Sequence, residues 1–146
     1  MFQHLLIPTD GSPSSESAAR QAVALAARLG ARVTALTVKP AFHVFTLRPE
    51  VVEDTRGSSW DVDLHARNHL AFVESLAAEA RVPFEGVTAQ GDHPWKVILE
   101  TARERGCDAI AMASHGRSGL ERFLVGSQTQ RVLAHTPLPV IVFRER

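Results

Sequence analysis

The chain has 146 residues and a mass of 15.9 kDa, one domain's worth of sequence spanning 1–146, long enough to bury roughly 70% of the surface its unfolded form exposes. Hydrophobic residues make up 45% and charged residues 22%, an ordinary globular balance that excludes disorder, collagen-like repeats and coiled coil. Sixteen basic residues cancel sixteen acidic ones, so the broad positive surface of a nucleic-acid binder is not expected. Cys107 is the single cysteine and has no internal disulfide partner. The start Met1-Phe2-Gln3-His4 lacks the basic region of a signal peptide, and no apolar run reaches membrane-spanning length. A soluble, cytoplasmic protein with no membrane partner is the expectation.

Apolar runs and helical periodicities alternate along the chain. Phe2 to Pro8 is a short apolar strand stopped by proline. Ser12 and Pro13 then read as an N-cap and first helical residue. Ala18, Ala22, Leu25 and Leu29 predict one helical face, and Gly30 a terminator. Ala31 to Val38 is rich in β-branched residues and predicts a second strand. From Lys39 to about Ser59 the pattern is lost among Pro40, Pro49 and Gly57-Ser58-Ser59, which predicts a mobile loop over about 39–59. A second helix is expected from Trp60 to about Val82, with Leu70, Val73, Ala77 and Ala80 inward. Phe84 to Gln90 reads as a third strand, and Pro94 to Arg105 as a third helix with Val97, Ile98 and Thr101 inward. Cys107 to Ala113 is a fourth strand and Leu138 to Phe143 a fifth, with a last helix between them. Five strands separated by helices predict an α/β fold: a doubly wound, Rossmann-like, five-stranded parallel sheet in the order 3-2-1-4-5, with helices on both faces.

In such a sheet the ligand crevice lies beyond the carboxyl ends of the strands, where the winding reverses. Here that falls between the first and fourth strands, so Pro8-Thr9-Asp10-Gly11-Ser12 faces Ser114-His115-Gly116. Ser127-Gln128-Thr129-Gln130 has the form of a capping box and predicts a helix start. Gly126 before it leaves room for an anion at the exposed N–H groups. The same residues are equally a plain helix cap preceded by loop turns. Neither a P-loop nor a G-x-G-x-x-G after the first strand is present.

Leu5 to Ser12 (LLIPTDGS), Met112 to Ser127 (MASHGRSGLERFLVGS) and Thr136 to Phe143 (TPLPVIVF) give the chain a likeness over its full length to the universal stress protein family. Gly116, nine intervening residues, Gly126 and Ser127 match the later part of the family's nucleotide motif G-x2-G-x9-G-[ST]. Ala113 stands where the motif has its first glycine. The resemblance implies an ATP site. Pro8, Thr9 and Asp10 line it, Val38 meets the adenine edge, and Met112 and Ala113 line it from the fourth strand. Gly116, Gly126, Ser127 and Thr129 hold ribose and phosphates. It further implies a stress-response role without a defined turnover reaction, and homodimers.

Other residues carry competing readings. Asp10 either reaches Mg²⁺ on a nucleotide or bonds the backbone of its own turn. Asp61, His65 and His69 share a helical face at four-residue spacing, a zinc geometry that more simply is a solvated face. Cys107 reads as a small buried hydrophobe. Arg117 and Arg122 read as phosphate contacts or exposed loop residues. His115 closes the pocket without the Ser or Asp partner of a triad. Trp95 anchors a helix start. The last strand, Val140-Ile141-Val142-Phe143, lies at the sheet edge with no charge to discourage pairing, which predicts a homodimer through that edge. The expected function is ATP binding as a sensor or regulatory ligand. The rivals are a nucleotide-free interaction scaffold, favoured by Ala113, and a slow ATP-hydrolysing enzyme.

Overall fold

The computed structural model describes residues 2–40, 52–115 and 125–145. Among these described residues nine elements follow in chain order: β1 (His4–Pro8), α1 (Pro13–Leu29), β2 (Arg32–Lys39), α2 (Val52–Ala80), β3 (Phe84–Gln90), α3 (Pro94–Arg105), β4 (Ala109–Ala113), α4 (Ser127–His135) and β5 (Val140–Phe143). All strand pairings are parallel, and the sheet order is β3-β2-β1-β4-β5, as the alternating pattern predicts.

The two-residue period of the strands divides the interior into two cores. Leu5, Ile7, Val33, Ala35, Ala109 and Ala111 face α1 and α2, where Ala22, Ala26, Val73 and Ala77 meet them. Leu6, Leu36, Ile110 and Met112 face α3 and α4, against Ile98, Ala102 and Val132. The expected inner faces of α2 and α3 hold: Val73, Ala77, Ile98 and Thr101 are buried, and Leu70, Ala80 and Val97 pack against the cores. On α1 Ala18 and Ala22 are buried as expected, but the expected face does not continue to the end of the helix. Leu29 is 38% exposed, and the buried stripe is Ser15, Ala18, Ala19, Ala22, Val23 and Ala26. Small residues let α1 approach β1 and β4 closely, and that approach overrides the preference for burying leucine.

Element ends follow their punctuation. The Ser12 hydroxyl accepts the Ser15 N–H at 3.1 Å, Pro13 is the first helical residue, and Gly30 closes α1 in the left-handed conformation. Several boundaries differ from expectation: β1 begins at His4 rather than Phe2, β5 at Val140 rather than Leu138, and α2 ends at Ala80 rather than about Val82. α2 begins at Val52, so residues 52–59 of the expected loop are helical, while 41–51 lie outside the described residues. Gly57 and two serines cost about 1 kcal/mol or less apiece within a helix, which a 29-residue element anchored by its packed later half can absorb. Strand β4 starts at Ala109 because the Cys107 N–H is spent closing α3 on Ala102 O at 2.9 Å. Cys107 is nonetheless buried, as expected. No helix among the described residues is long and apolar enough to cross a membrane.

Polar groups tie the amino ends of the strands together. The Asp108 carboxylate accepts the backbone N–H groups of Gln3 and His4 at 2.8 and 3.0 Å. The buried His4 imidazole bonds Thr34 Oγ1 through Nε2 at 2.6 Å. Burial lowers the pKa of His4 and pushes that of the Cys107 thiol up to about 11. Burial alone would raise the Asp108 carboxyl, but the N–H groups of Gln3 and His4 bring it below its ordinary value.

Candidate functional site

At the opposite, carboxyl end of the sheet, β1 and β4 part company and a cavity of about 230 Å³ opens between their loops. Its first wall is the turn after β1. Pro8 ends the strand, but the Thr9 N–H continues the pairing onto Leu36 O at 2.8 Å. Thr9 Oγ1 lies 3.2 Å from Ser15 Oγ and accepts the Gly11 N–H at 3.3 Å. Asp10 Oδ1 accepts the Ser12 N–H at 3.0 Å, the self-bonding turn that Asp favours. Gly11 sits at φ +76°, and an added Cβ would land inside the His69 imidazole of α2.

The facing wall is the start of α4, fastened to the end of β4. Thr129 Oγ1 donates to Ala113 O at 2.9 Å, and the Gly126 N–H donates to Ser114 O. Gly126 is a close approach: a Cβ there would lie 3.0 Å from His115 Cα and 3.3 Å from Ser114 O. The expected capping box at Ser127 is not formed. Gly126 is the N-cap, no side chain caps the helix, and Gln130 Nε2 donates to Val125 O at 2.6 Å instead. Glycine reaches the N-cap conformation at this close approach, so Ser127 becomes the first helical residue, with an exposed side chain beside uncapped N–H groups. Ala113 sits in β4 without positive φ, so its methyl needs no backbone adjustment.

Nine of the ten expected site residues line this one cavity: Pro8, Thr9, Asp10, Val38, Met112 and Ala113 from the strand ends, and Gly126, Ser127 and Thr129 from α4. The tenth, Gly116, lies outside the described residues, as do Arg117 and Arg122. The lining is mixed. Leu36, Ile98 and Met112 belong to one core cluster with Val38 packed against it, and with Pro94 they give the apolar lining, while Thr9, Asp10, Ser15, His115, Ser127 and Thr129 carry the polar groups. His115 has a neighbour the sequence did not disclose: its Nδ1 lies 3.1 Å from Ser114 Oγ. Ser15, Leu36, Pro94, Ile98 and Gln128 were not predicted as site residues. Two-residue alternation before Val38 signals Leu36, and the inward face of α3 signals Ile98. Nothing in the sequence signals Gln128.

Of the three-residue helical set, the Asp61 side chain lies outside what the structure describes, so only His65 and His69 are placed. The His65 and His69 rings stack with centroids 6.3 Å apart, and no group of three possible metal ligands occurs among the described residues. His69 is half-buried against Gly11 rather than fully solvated.

Comparison with known proteins accords with this architecture. The model of the universal stress protein family matches residues 1–144. Universal stress protein MJ0531 of Methanocaldococcus jannaschii is 31% identical over 99% of this chain and 84% of its own length. The solved universal stress protein UspA from Lactobacillus plantarum is 28% identical, with a TM-score of 0.76 over 98% of both chains. A universal stress protein family structure from Arabidopsis thaliana with AMP bound superposes with a TM-score of 0.72 at 18% identity, over 99% of this chain and 92% of that one. By a family match that runs from the first strand through the last, and by an archaeal relative aligned along nearly all of it, this chain belongs to the universal stress protein family.

Proposed function

We propose that the cavity binds an adenine nucleotide, ATP in the first instance, as a regulatory ligand in a stress response. The observation that carries this is a lining that combines apolar side chains with hydroxyls and the uncapped N–H groups at the start of α4. A flat base suits the first and an anion the second. Val38 and Met112 would flank the base, with Thr9 and Asp10 toward the ribose. Gly126, Ser127 and Thr129 would take the phosphates, joined by Gly116. A magnesium ion accompanying the phosphates prefers oxygen ligands, and Asp10 is the carboxylate of the lining. The Arabidopsis relative holds AMP; at its identity it speaks for the fold, so the nucleotide reading stands on the lining itself. Binding without rapid turnover is part of the proposal, as are a cytoplasmic location and a homodimer paired through β5.

The test is thermal unfolding with and without Mg·ATP, against GTP. A ligand at 100 times its Kd adds about 2.7 kcal/mol, which raises the Tm of a domain this size by several degrees. A rise with ATP and none with GTP is expected, and Gly126→Val should remove it by filling the approach to His115. The second reading, a scaffold without nucleotide, is favoured by the Ala113 side chain in the lining. No Tm shift at millimolar ATP would select it.

A further inference from the structure

Two helices begin at the cavity, and neither start is closed by a cap of its own. His93 before α3 and Gly126 before α4 make no side-chain capping bond. The first turn of α3 is served from α4 instead: Gln128 Oε1 accepts the Trp95 backbone N–H at 3.0 Å. A backbone N–H can only donate, so this bond fixes which end of the carboxamide faces α3. The indole of Trp95 reaches the other end of α4, where it stacks on His135 with centroids 4.4 Å apart. His135 is itself held by its Nδ1 contact with Arg131 O at 2.8 Å. Trp95 therefore grips α4 at both ends, and Gln128 is the grip that lies in the cavity lining.

We propose that Gln128 is a positioning residue for the bound nucleotide, an inference that rests on the nucleotide reading of the cavity. α3 carries part of the apolar wall, Pro94 and Ile98, and α4 carries the hydroxyl wall, Ser127 and Thr129. A ligand with a base at one end and an anion at the other needs both walls at a fixed spacing before it arrives. A cross-helix hydrogen bond between the two helix starts sets that spacing, so it acts on affinity through preorganisation.

The experiment measures adenosine and ATP affinity for the wild type, Gln128→Met, Gln128→Asn and Gln128→Glu, with amide exchange of Trp95 followed in each. Methionine keeps the volume and removes the acceptor; asparagine draws the acceptor back by one methylene. Glutamate keeps an oxygen in place, and adenosine carries no phosphate for the new charge to repel. Expected is an adenosine Kd about tenfold weaker in the Met and Asn variants, with faster Trp95 exchange, and a return to within about twofold in the Glu variant. A merely structural role would lower Tm without that rescue of affinity. Wild-type adenosine affinity in the Met variant, or no rescue by Glu, overturns the role of Gln128 alone. A wild type that binds neither ATP nor adenosine overturns the reading of the cavity, and this inference with it.

Discussion

Gly11 turns the chain at φ +76°, and the His69 imidazole occupies the space its side chain would need. Gly30 has nearly the same φ, +67°, yet nothing lies within 4 Å of its missing Cβ. The pair separates backbone strain from collision. Gly30→Ala should cost only the left-handed strain, about 1–2 kcal/mol. Gly11→Ala should add overpacking, for about 2–4 kcal/mol in all by urea denaturation. In a His69→Ala background the Gly11→Ala cost should fall to the Gly30 value. An unchanged cost there would show that His69 yields freely. Neither effect was legible beforehand: glycine after Asp signals a turn, but the covering histidine lies 58 positions later, on a helix face read as solvated.

Among the elements, α1 depends most on its first residues. Ser12 is buried, caps the helix through its hydroxyl, and donates its own N–H to the Asp10 carboxylate. Ser12→Ala should destabilise by about 1 kcal/mol, read as a lowered urea midpoint with unchanged slope. Helix starts were the most legible feature of the chain wherever the signal was chemical, as at Ser12-Pro13 and Pro94. At Ser127 the expected start also held, but its capping chemistry did not. The S-x-x-Q spacing at Ser127 has the composition of a capping box, but the tight packing of Gly126 on His115 moves the cap one residue earlier. The reading of Gly57-Ser58-Ser59 as loop failed for a related reason: local propensity is small against the continuation of a helix already anchored by its packed half.

For the molecule as a whole, the two ends of the sheet have different chemistry. The amino end holds His4 and Asp108, whose pKa values are both lowered. The unfolded chain takes up a proton on His4 near pH 6.5 while the folded chain does not. The stability this contributes is therefore present above that pH and lost as pH falls toward the folded value. Asp108 adds stability above its ordinary 3.8, lost as pH falls through its lower folded value. Urea midpoints should decline from pH 7 to pH 5, and His4→Gln should flatten that slope. An equal slope in the variant would assign it to other histidines. At the edge of the sheet, all four residues of β5 are only half-buried in the single chain. If they pair across a twofold axis, Ile141→Lys should convert a dimeric mass to a monomeric one in sedimentation, whereas an unchanged mass would place any interface elsewhere. The elements and the α/β class were legible because each strand and helix declares its own period, whereas the order 3-2-1-4-5 was an expectation for a doubly wound chain that the strand pairings bear out. The cavity's strand-end lining followed from the order, while the cross-helix contacts did not, since they join side chains whose partners only the fold selects.

Trp95 also gives the molecule an optical property. Its indole stacks on the His135 ring, and the Lys96 ammonium lies 5.4 Å from the indole centroid. Trp60 is the only other tryptophan. A Trp60→Phe chain therefore emits from one indole, the one wedged between α3 and α4, and its colour and lifetime track that seam without any attached dye. Rapid mixing would then follow the seam as ligand arrives, turning a packing contact into a clock.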